Sequence, residues 1–195
     1  MANRGIKITG VDTNASTVAR INRGETHIVE PDLDILVRSA VSAGNLKAVT
    51  VPEPAEAFII AVPTPLNGDN SPDLGYLKKS AEDLAPVLEK GNLVILESTS
   101  PVGTTAKLAE WLASARPDLK FPADDPEAPD INIAYSPERV LPGRVLIELV
   151  DNDRVIGGLT KACSDRAVAL YKQFVEGACL ITSATTAELV KLAEN

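Results

Sequence analysis

Residues 93–105 read LVILESTSPVGTT and combine an apolar strand, a polar turn and the start of a helix. LVIL is apolar on both sides, which is typical of a buried strand in a parallel sheet. The turn ends at Gly103, and TTAKLAEWLASA follows with apolar residues at helical spacing. The stretch therefore predicts one strand–turn–helix unit of an α/β fold.

The same alternation continues on both sides of that stretch. The apolar runs GIKITGV, AFIIAV, NIAY, RVIGG and ACLITS are separated by amphipathic segments or turns, and TTAELVKLAEN predicts a final helix. With 195 residues, 45% of them hydrophobic, the chain can bury one substantial core, and no linker divides it. We predict a doubly wound, mostly parallel Rossmann-like α/β sheet with helices on both faces.

Composition excludes several classes of function. The formal charge is −8 and the basic residues are scattered, which argues against a nucleic-acid surface or an acidic membrane face. No apolar run approaches the length of a membrane span. Cys163 and Cys179 lack metal-ligand spacing, so we predict small buried side chains in a reducing cytoplasm and no metal site. The lone His27 is predicted to be a loop residue without a catalytic role.

Ligands of such sheets gather outside the carboxyl ends of the strands, so the residues that follow each apolar run are the candidates. Asp12 follows GIKITGV and could accept hydrogen bonds from both ribose hydroxyls, which favours NAD; an ordinary turn acid fits equally well. Thr64 follows AFIIAV, and Ser98 and Thr99 follow LVIL. Their hydroxyls could donate to phosphate or ribose oxygens, although each alone is also a common turn residue.

Two further strand and helix ends carry polar groups. The start of the helix at Thr105 could present free N–H groups to an anion, or simply be capped. Glu138 and Arg139 follow NIAY and could handle a proton or bind an anion, or form an ordinary surface ion pair.

The last helix begins with residues 185–188, TTAE, which resemble a capping box. Lys191 and Asn195 are four residues apart and share a helix face. There Lys191 could hold an oxyanion or relay a proton, or be a solvated lysine.

Together the motifs are similar to those of a known family. GVD, NRGETHIVEPDL, IAVPTP, LESTSPVGTT, YSPERVLPGR, NDRVIGG and TAELVKLAEN resemble the UDP-glucose/GDP-mannose dehydrogenase family over essentially the whole chain. The resemblance implies oxidation of a sugar C6 alcohol to a carboxylate in two steps, with reduction of two NAD⁺. HIVEPDL, SPERVLPG and NDRVIGG favour UDP-N-acetyl-D-mannosamine as the substrate, for surface polysaccharide biosynthesis; UDP-N-acetylglucosamine and UDP-glucose stay open.

The resemblance also implies roles for individual residues, each carried over at a matching motif. These are Asp12 at the adenosine ribose, Thr64 and Thr105 at NAD, Thr99 and Glu138 in thioester hydrolysis, Arg139 and Val140 against the nucleotide sugar, Lys191 as general acid/base or oxyanion-stabilising group, and Asn195 beside it at the sugar.

The sequence departs from the family pattern at two motifs, the glycine-rich turn and the nucleophilic cysteine. The twelve glycines contain no GxGxxG, and GIKITGVD corresponds to the family's second strand. We therefore expect residues 1–183 to be a Rossmann-like domain without its first βα unit, and 184–195 to begin the helix leading to a central dimerisation and substrate domain. The nucleophilic cysteine implied by the family matches neither cysteine here. We expect the isolated chain to be inactive; the alternative is a non-catalytic nucleotide-sugar-binding or assembly module.

Overall fold

The computed structural model describes residues 1–26, 28, 30–141 and 143–194. The predictions for His27 and Asn195 lie outside the described residues. The chain forms two compact units, and the predicted bounds of residues 1–183 and 184–195 stay a prediction. One consists of Met1–Glu53, Val140–Asn152 and Gln173–Glu176; the other of Pro54–Arg139, Asp153–Lys172 and Gly177–Asn195. Because the chain passes between the units several times, no single linker marks the division in the sequence.

Strands and helices alternate over most of the chain, except that α2 follows α1 and β3 follows β2; the short helix α5 is not predicted by the sequence pattern. In chain order the elements are β1 (Ile8–Val11), α1 (Ala15–Asn22), α2 (Leu33–Ser42), β2 (Leu46–Val49), β3 (Ala57–Ile60), α3 (Gly75–Leu84), β4 (Leu93–Leu96), α4 (Thr104–Ala115), β5 (Asn132–Tyr135), α5 (Val145–Asp151), β6 (Arg154–Gly158), α6 (Lys161–Tyr171), β7 (Cys179–Ser183) and α7 (Ala184–Glu194).

In the first unit, β1 and β2 form a parallel pair with Val11 opposite Val49. Helix α1 begins where the side chain of Asn14 accepts a hydrogen bond from the N–H of Ser16. Asn14 is three residues after the end of β1 and two after Asp12, so the strand end and the helix start are close in the chain.

In the second unit, five strands form a sheet in the order β3-β4-β5-β6-β7, which confirms the mostly parallel α/β class. Strands β3, β4 and β5 are parallel, and β7 is parallel to β6. All four residues of β4 are buried. Val94 and Leu96 belong to a core shared with α3, α4 and α7, whereas the alternate residue Ile95 lies on the other face, on which α6 packs. Helices therefore cover both faces.

One strand is reversed. β6 runs antiparallel to β5, with Tyr135 opposite Gly157, so β6 begins at Arg154 beside the carboxyl end of β5. β7 follows the direction of β6, and α7 starts immediately after it at Ala184. Helix α7 therefore runs back along the sheet towards the carboxyl end of β5. The backbone passes close to Gly157 where β7 ends and α7 begins. A Cβ at position 157 would lie 2.7 Å from the Cα of Ala184, so only glycine fits there without a shift of the backbone.

Candidate functional site

The carboxyl end of β5 brings Glu138 and Lys191 together, although they are far apart in sequence. The ammonium group of Lys191 donates to the backbone carbonyl of Glu138 at 2.5 Å. The Glu138 carboxylate accepts from Nη1 of Arg154 through Oε2 at 3.0 Å and from the N–H of Arg139 through Oε1 at 2.8 Å. Lys191 is half-buried and its ammonium group is hydrogen-bonded to Glu138, so the alternative of a solvated lysine does not describe it.

Arg139 does not pair with the side chain of Glu138, as a simple surface ion pair would require. Its guanidinium donates to Oε1 of Glu194 and to the carbonyl of Asp153, both at 2.7 Å. Val140, the other residue predicted to lie against the sugar, belongs to the first unit and is half-buried. Asn195 lies outside the described residues, so its predicted place beside Lys191 stays a prediction.

The start of α4 holds an anion, and that anion is the protein's own Glu188. This carboxylate has no exposed surface and accepts from the N–H of Gly103 at 2.6 Å and from the N–H of Thr105 at 2.7 Å. The hydroxyl of Thr105 also donates to it, at 2.5 Å. The backbone donors predicted for a bound anion are therefore already engaged, and the role of Thr105 at NAD stays a prediction.

The capping-box interpretation of residues 185–188 is wrong. Helix α7 begins one residue earlier, at Ala184, and the Ser183 hydroxyl oxygen accepts from the N–H of Thr186 at 3.1 Å. Glu188 reaches across to α4 instead of back to its own helix start, because burial in the core turns it away from solvent. The motif correctly indicates a helix start near residue 185, but it does not predict that Glu188 contacts α4.

The ends of β3 and β4 are tied together by hydroxyl groups. The hydroxyl of Thr64 donates to the carbonyl of Thr99. Ser98 donates from its hydroxyl to the carbonyl of Val62 at 2.7 Å. Both threonines are half-buried, so the loops after two neighbouring parallel strands meet where the sequence placed its candidates. These bonds satisfy part of their hydrogen-bonding capacity, and contact with NAD or water stays a prediction.

Three residues to which the sequence assigned no role lie near Glu138: Glu97, Arg154 and Tyr171. The hydroxyl of Tyr171 donates to Oε1 of Glu97 at 2.5 Å, and the guanidinium of Arg154 lies 5.6 Å from the centre of the Tyr171 ring. Burial raises the pKa of Glu97, and the charge of Glu138 raises it further, against the opposing hydrogen bond from Tyr171. Burial raises the pKa of Tyr171 well above 10, and Glu97 adds to the shift. The signals available in the sequence were an arginine inside the strand RVIGG and an acid directly after LVIL.

In the first unit, Asp12 directly follows β1, as expected. Its Oδ1 accepts from the N–H of Asn14 at 2.8 Å, and its own N–H donates to the carbonyl of Val49 at 3.1 Å. Asp12 thus acts as the turn acid that one interpretation predicted. A half-buried carboxylate at a strand end before a helix also fits a ribose, because a carboxylate can accept several hydrogen bonds at once.

The remaining predicted residues are structural. Cys163 is fully buried, and its sulfur accepts from the N–H of Ile133 at 3.3 Å; Cys179 is half-buried. Among the residues with described positions, no three His, Cys, Asp or Glu side chains form a group that could hold a metal ion. Within the same part of the chain, every helix is too short or too polar to cross a membrane.

Comparison with known proteins identifies the family. Residues 1–175 match the model of the UDP-glucose/GDP-mannose dehydrogenase family, NAD binding domain, which confirms the predicted family and NAD as its cofactor. The chain is 61% identical over 194 residues to a UDP-N-acetyl-D-mannosamine dehydrogenase of Yersinia pestis, covering 100% of this chain and 46% of that protein. It is 57% identical to an NDP-N-acetyl-D-galactosaminuronic acid dehydrogenase of Ralstonia nicotianae, covering 100% of this chain and 46% of that protein.

A solved structure agrees with these sequence relatives. The structure of a UDP-D-ManNAc dehydrogenase from Pyrococcus horikoshii superposes with a TM-score of 0.91 at 41% identity, covering 99% of this chain and 45% of that chain. The chain thus spans about half the length of the curated relatives it matches. On the family match and this likeness of fold, the chain belongs to the UDP-glucose/GDP-mannose dehydrogenase family and carries its NAD-binding domain.

Proposed function

We propose that the chain is the NAD-binding part of an enzyme that oxidises UDP-N-acetyl-D-mannosamine to UDP-N-acetyl-D-mannosaminuronate. The reaction consumes the C6 alcohol, two NAD⁺ and one water, and yields the C6 carboxylate, two NADH and protons. The observation that carries the proposal is the Lys191–Glu138 contact, which joins an ammonium group and a carboxylate-bearing residue at one strand end. The 61% identity to the Yersinia pestis UDP-N-acetyl-D-mannosamine dehydrogenase supports this substrate.

The Ralstonia nicotianae relative supports a second candidate substrate. It is 57% identical, nearly as similar, and its name refers to an N-acetylgalactosaminuronic acid. A nucleoside-diphosphate-linked N-acetylated sugar is the class common to both names. UDP-glucose is a third candidate substrate, which the sequence motifs left open.

Asp12 is the residue of this chain best suited to hold NAD, because its carboxylate stands at the strand end where a ribose would lie. Thr64 and Thr105 are assigned to NAD by the family resemblance; Thr105 is fully buried and already donates to Glu188. When bound, NAD⁺ supplies the hydride acceptor for the sugar C6. The residues of the chain bind it, orient it and exclude water from it.

Around the sugar we assign four roles. The Lys191 ammonium stabilises negative charge that develops on the C6 oxygen, because a positioned cation in a half-buried site acts strongly on such charge. Glu138 takes the proton of the water that hydrolyses the thioester, and Thr99 orients that water. Arg139 attracts the diphosphate of the substrate. The whole enzyme is proposed to be a cytoplasmic homodimer formed through a central domain.

The test is ligand titration of this chain followed by backbone amide NMR, which detects weak binding. Asp12→Ala should weaken NAD⁺ binding at least about tenfold, the value of one lost hydrogen bond to a charged group. Asp34→Ala is the matched control, since that acid lies in the first turn of α2. Lys191→Ala should weaken UDP-N-acetylmannosamine binding by a similar factor, whereas Lys107→Ala, at an exposed position of α4, should not. Equal effects in variant and control, or no response to either ligand, would refute the proposal.

A further inference from the structure

A row of polar groups connects strand β4, helix α6 and strand β6 to the Glu138 carboxylate. Glu97, directly after β4, accepts from the hydroxyl of Tyr171, at the end of α6, at 2.5 Å. Arg154, the first residue of β6, lies over the Tyr171 ring and donates to Oε2 of Glu138 at 3.0 Å. Tyr171 is 1% exposed and Arg154 3%, so the middle of the row is buried, whereas the Glu138 side chain is 31% exposed.

Burial on this scale restricts the direction of the guanidinium group. The planar guanidinium lies over the Tyr171 ring, 5.6 Å from its centre, where cation–π attraction restrains it. The ring is restrained in turn because its hydroxyl donates to Glu97, directly after β4. A lysine could carry the charge of Arg154 but not this planar geometry.

The two oxygens of the Glu138 carboxylate are held from different directions. Oε1 accepts from the N–H of Arg139, a local backbone contact that any side chain at position 139 provides except proline. Oε2 accepts from Arg154, sixteen residues further along the chain. The second contact is therefore the one that a side-chain substitution can remove without altering the local backbone.

We propose that Arg154, held in place by Tyr171 and Glu97, is a positioning residue that fixes the Glu138 carboxylate in one orientation. The inference rests on the proposed function, in which that carboxylate takes a proton from water. Reversal of β6 makes the arrangement possible, because only an antiparallel β6 begins beside the carboxyl end of β5.

The first test uses the unmutated chain. Exchange of the Arg154 guanidinium protons with water is measured by ¹⁵N NMR and compared with the exposed Arg38. A guanidinium held by a charged hydrogen bond should exchange at least about tenfold more slowly than an exposed one. Equal exchange rates for the two arginines would overturn the proposal, and no variant has to fold for this result to count.

The second test measures the side-chain couplings of Glu138, which report whether its torsions occupy one rotamer or several. Arg154→Lys should change a single rotamer into an average, while Tyr171→Phe, which keeps the ring, should raise Arg154 proton exchange. Arg116→Lys is the matched control, because Arg116 also pairs with a carboxylate, that of Asp118 at 2.7 Å, in the same unit. Unchanged Glu138 couplings in Arg154→Lys, or equal changes in the control, would overturn the proposal.

Addition of UDP-N-acetylmannosamine separates this inference from the proposed function. A single Glu138 rotamer that depends on Arg154 supports the positioning role whether or not the ligand perturbs it. No response of Glu138 or Lys191 to saturating ligand would count against the proposed function alone.

Discussion

The strongest prediction concerns Glu188→Ala. This substitution removes a carboxylate without exposed surface that accepts three hydrogen bonds at the start of α4. Two of the three donors are the backbone N–H groups of Gly103 and Thr105, which cannot turn towards another acceptor. The third, the Thr105 hydroxyl, can rotate. The carboxylate also joins α7 to α4, so its loss weakens the packing of the last helix.

The magnitude follows from the two fixed donors. Each buried N–H left without an acceptor costs about 1–3 kcal/mol, and the lost charge-assisted bonds are at the upper end of that range. We expect Glu188→Ala to lower the free energy of unfolding by about 3–5 kcal/mol. Glu188→Gln keeps the volume but turns an amide NH₂ towards one of the N–H groups, at a cost of about 1–3 kcal/mol. These are large fractions of the total stability of about 5–15 kcal/mol for an ordinary domain.

The assay is urea unfolding followed by the fluorescence of Trp111, the single tryptophan, which lies on α4 itself. Glu110→Ala is the matched control, because it removes an exposed glutamate from the same helix and should change stability by no more than about 0.5 kcal/mol. A loss below about 1 kcal/mol for Glu188→Ala, or one equal to the control, would show that the carboxylate does not bind the start of α4 in solution.

Three further predictions concern protonation and packing. Burial raises the pKa of Glu97 above 4.5, so its contribution to stability is full below about pH 4.5 and is lost as pH rises through the raised value. As pH rises above 4.5, the free energy of unfolding of Glu97→Gln should therefore increase relative to that of the unmutated chain, by up to about 1.4 kcal/mol per pH unit. Urea unfolding at several pH values measures this, and a pH-independent difference would contradict it. Burial raises the pKa of Tyr135 to about 12, so absorbance at 295 nm, compared with Tyr135→Phe, should show its ionisation near that pH, with stability falling as pH rises from 10; a midpoint at 10 would contradict the burial argument. Gly157→Ala should cost at least about 2 kcal/mol in thermal or urea unfolding, because the new Cβ would meet backbone, whereas Gly10→Ala, with its nearest atom at 3.8 Å, should be near neutral; equal effects would refute the close approach.

Sequence periodicity was sufficient for the local elements but not for their directions. The apolar run LVIL became the fully buried β4, and RVIGG became β6. Nothing in RVIGG distinguishes a parallel from an antiparallel neighbour, because side chains alternate in the same way in both. The antiparallel pairing of β6 with β5 and the division into two units are decided by contacts between distant segments. Local sequence patterns do not predict such contacts.

The candidate site shows the same limit. The strand-end rule singled out Glu138, the spacing on the last helix singled out Lys191, and the structure joins the two residues. Arg154 sits within an apolar strand, and only its partner sixteen residues away explains a buried charge there. Glu188 was assigned to its own helix start, but its partner Thr105 is 83 residues away. Position at a strand end or on a helix face therefore identifies candidate residues, but it does not show which distant residues they contact.

The reversed β6 has an electrostatic consequence for the edge of the sheet where β4 and β5 end. Helix α4 begins there, so it presents the positive end of its dipole, and Glu188 meets that end with a negative charge. Helix α7 runs towards the same edge because β6 and β7 are reversed, and it brings the Lys191 ammonium group to the backbone carbonyl of Glu138. This edge therefore combines a helix start that is neutralised by an internal carboxylate with a lysine ammonium group. A ligand that approaches it encounters the charges of individual side chains and not an uncompensated helix dipole.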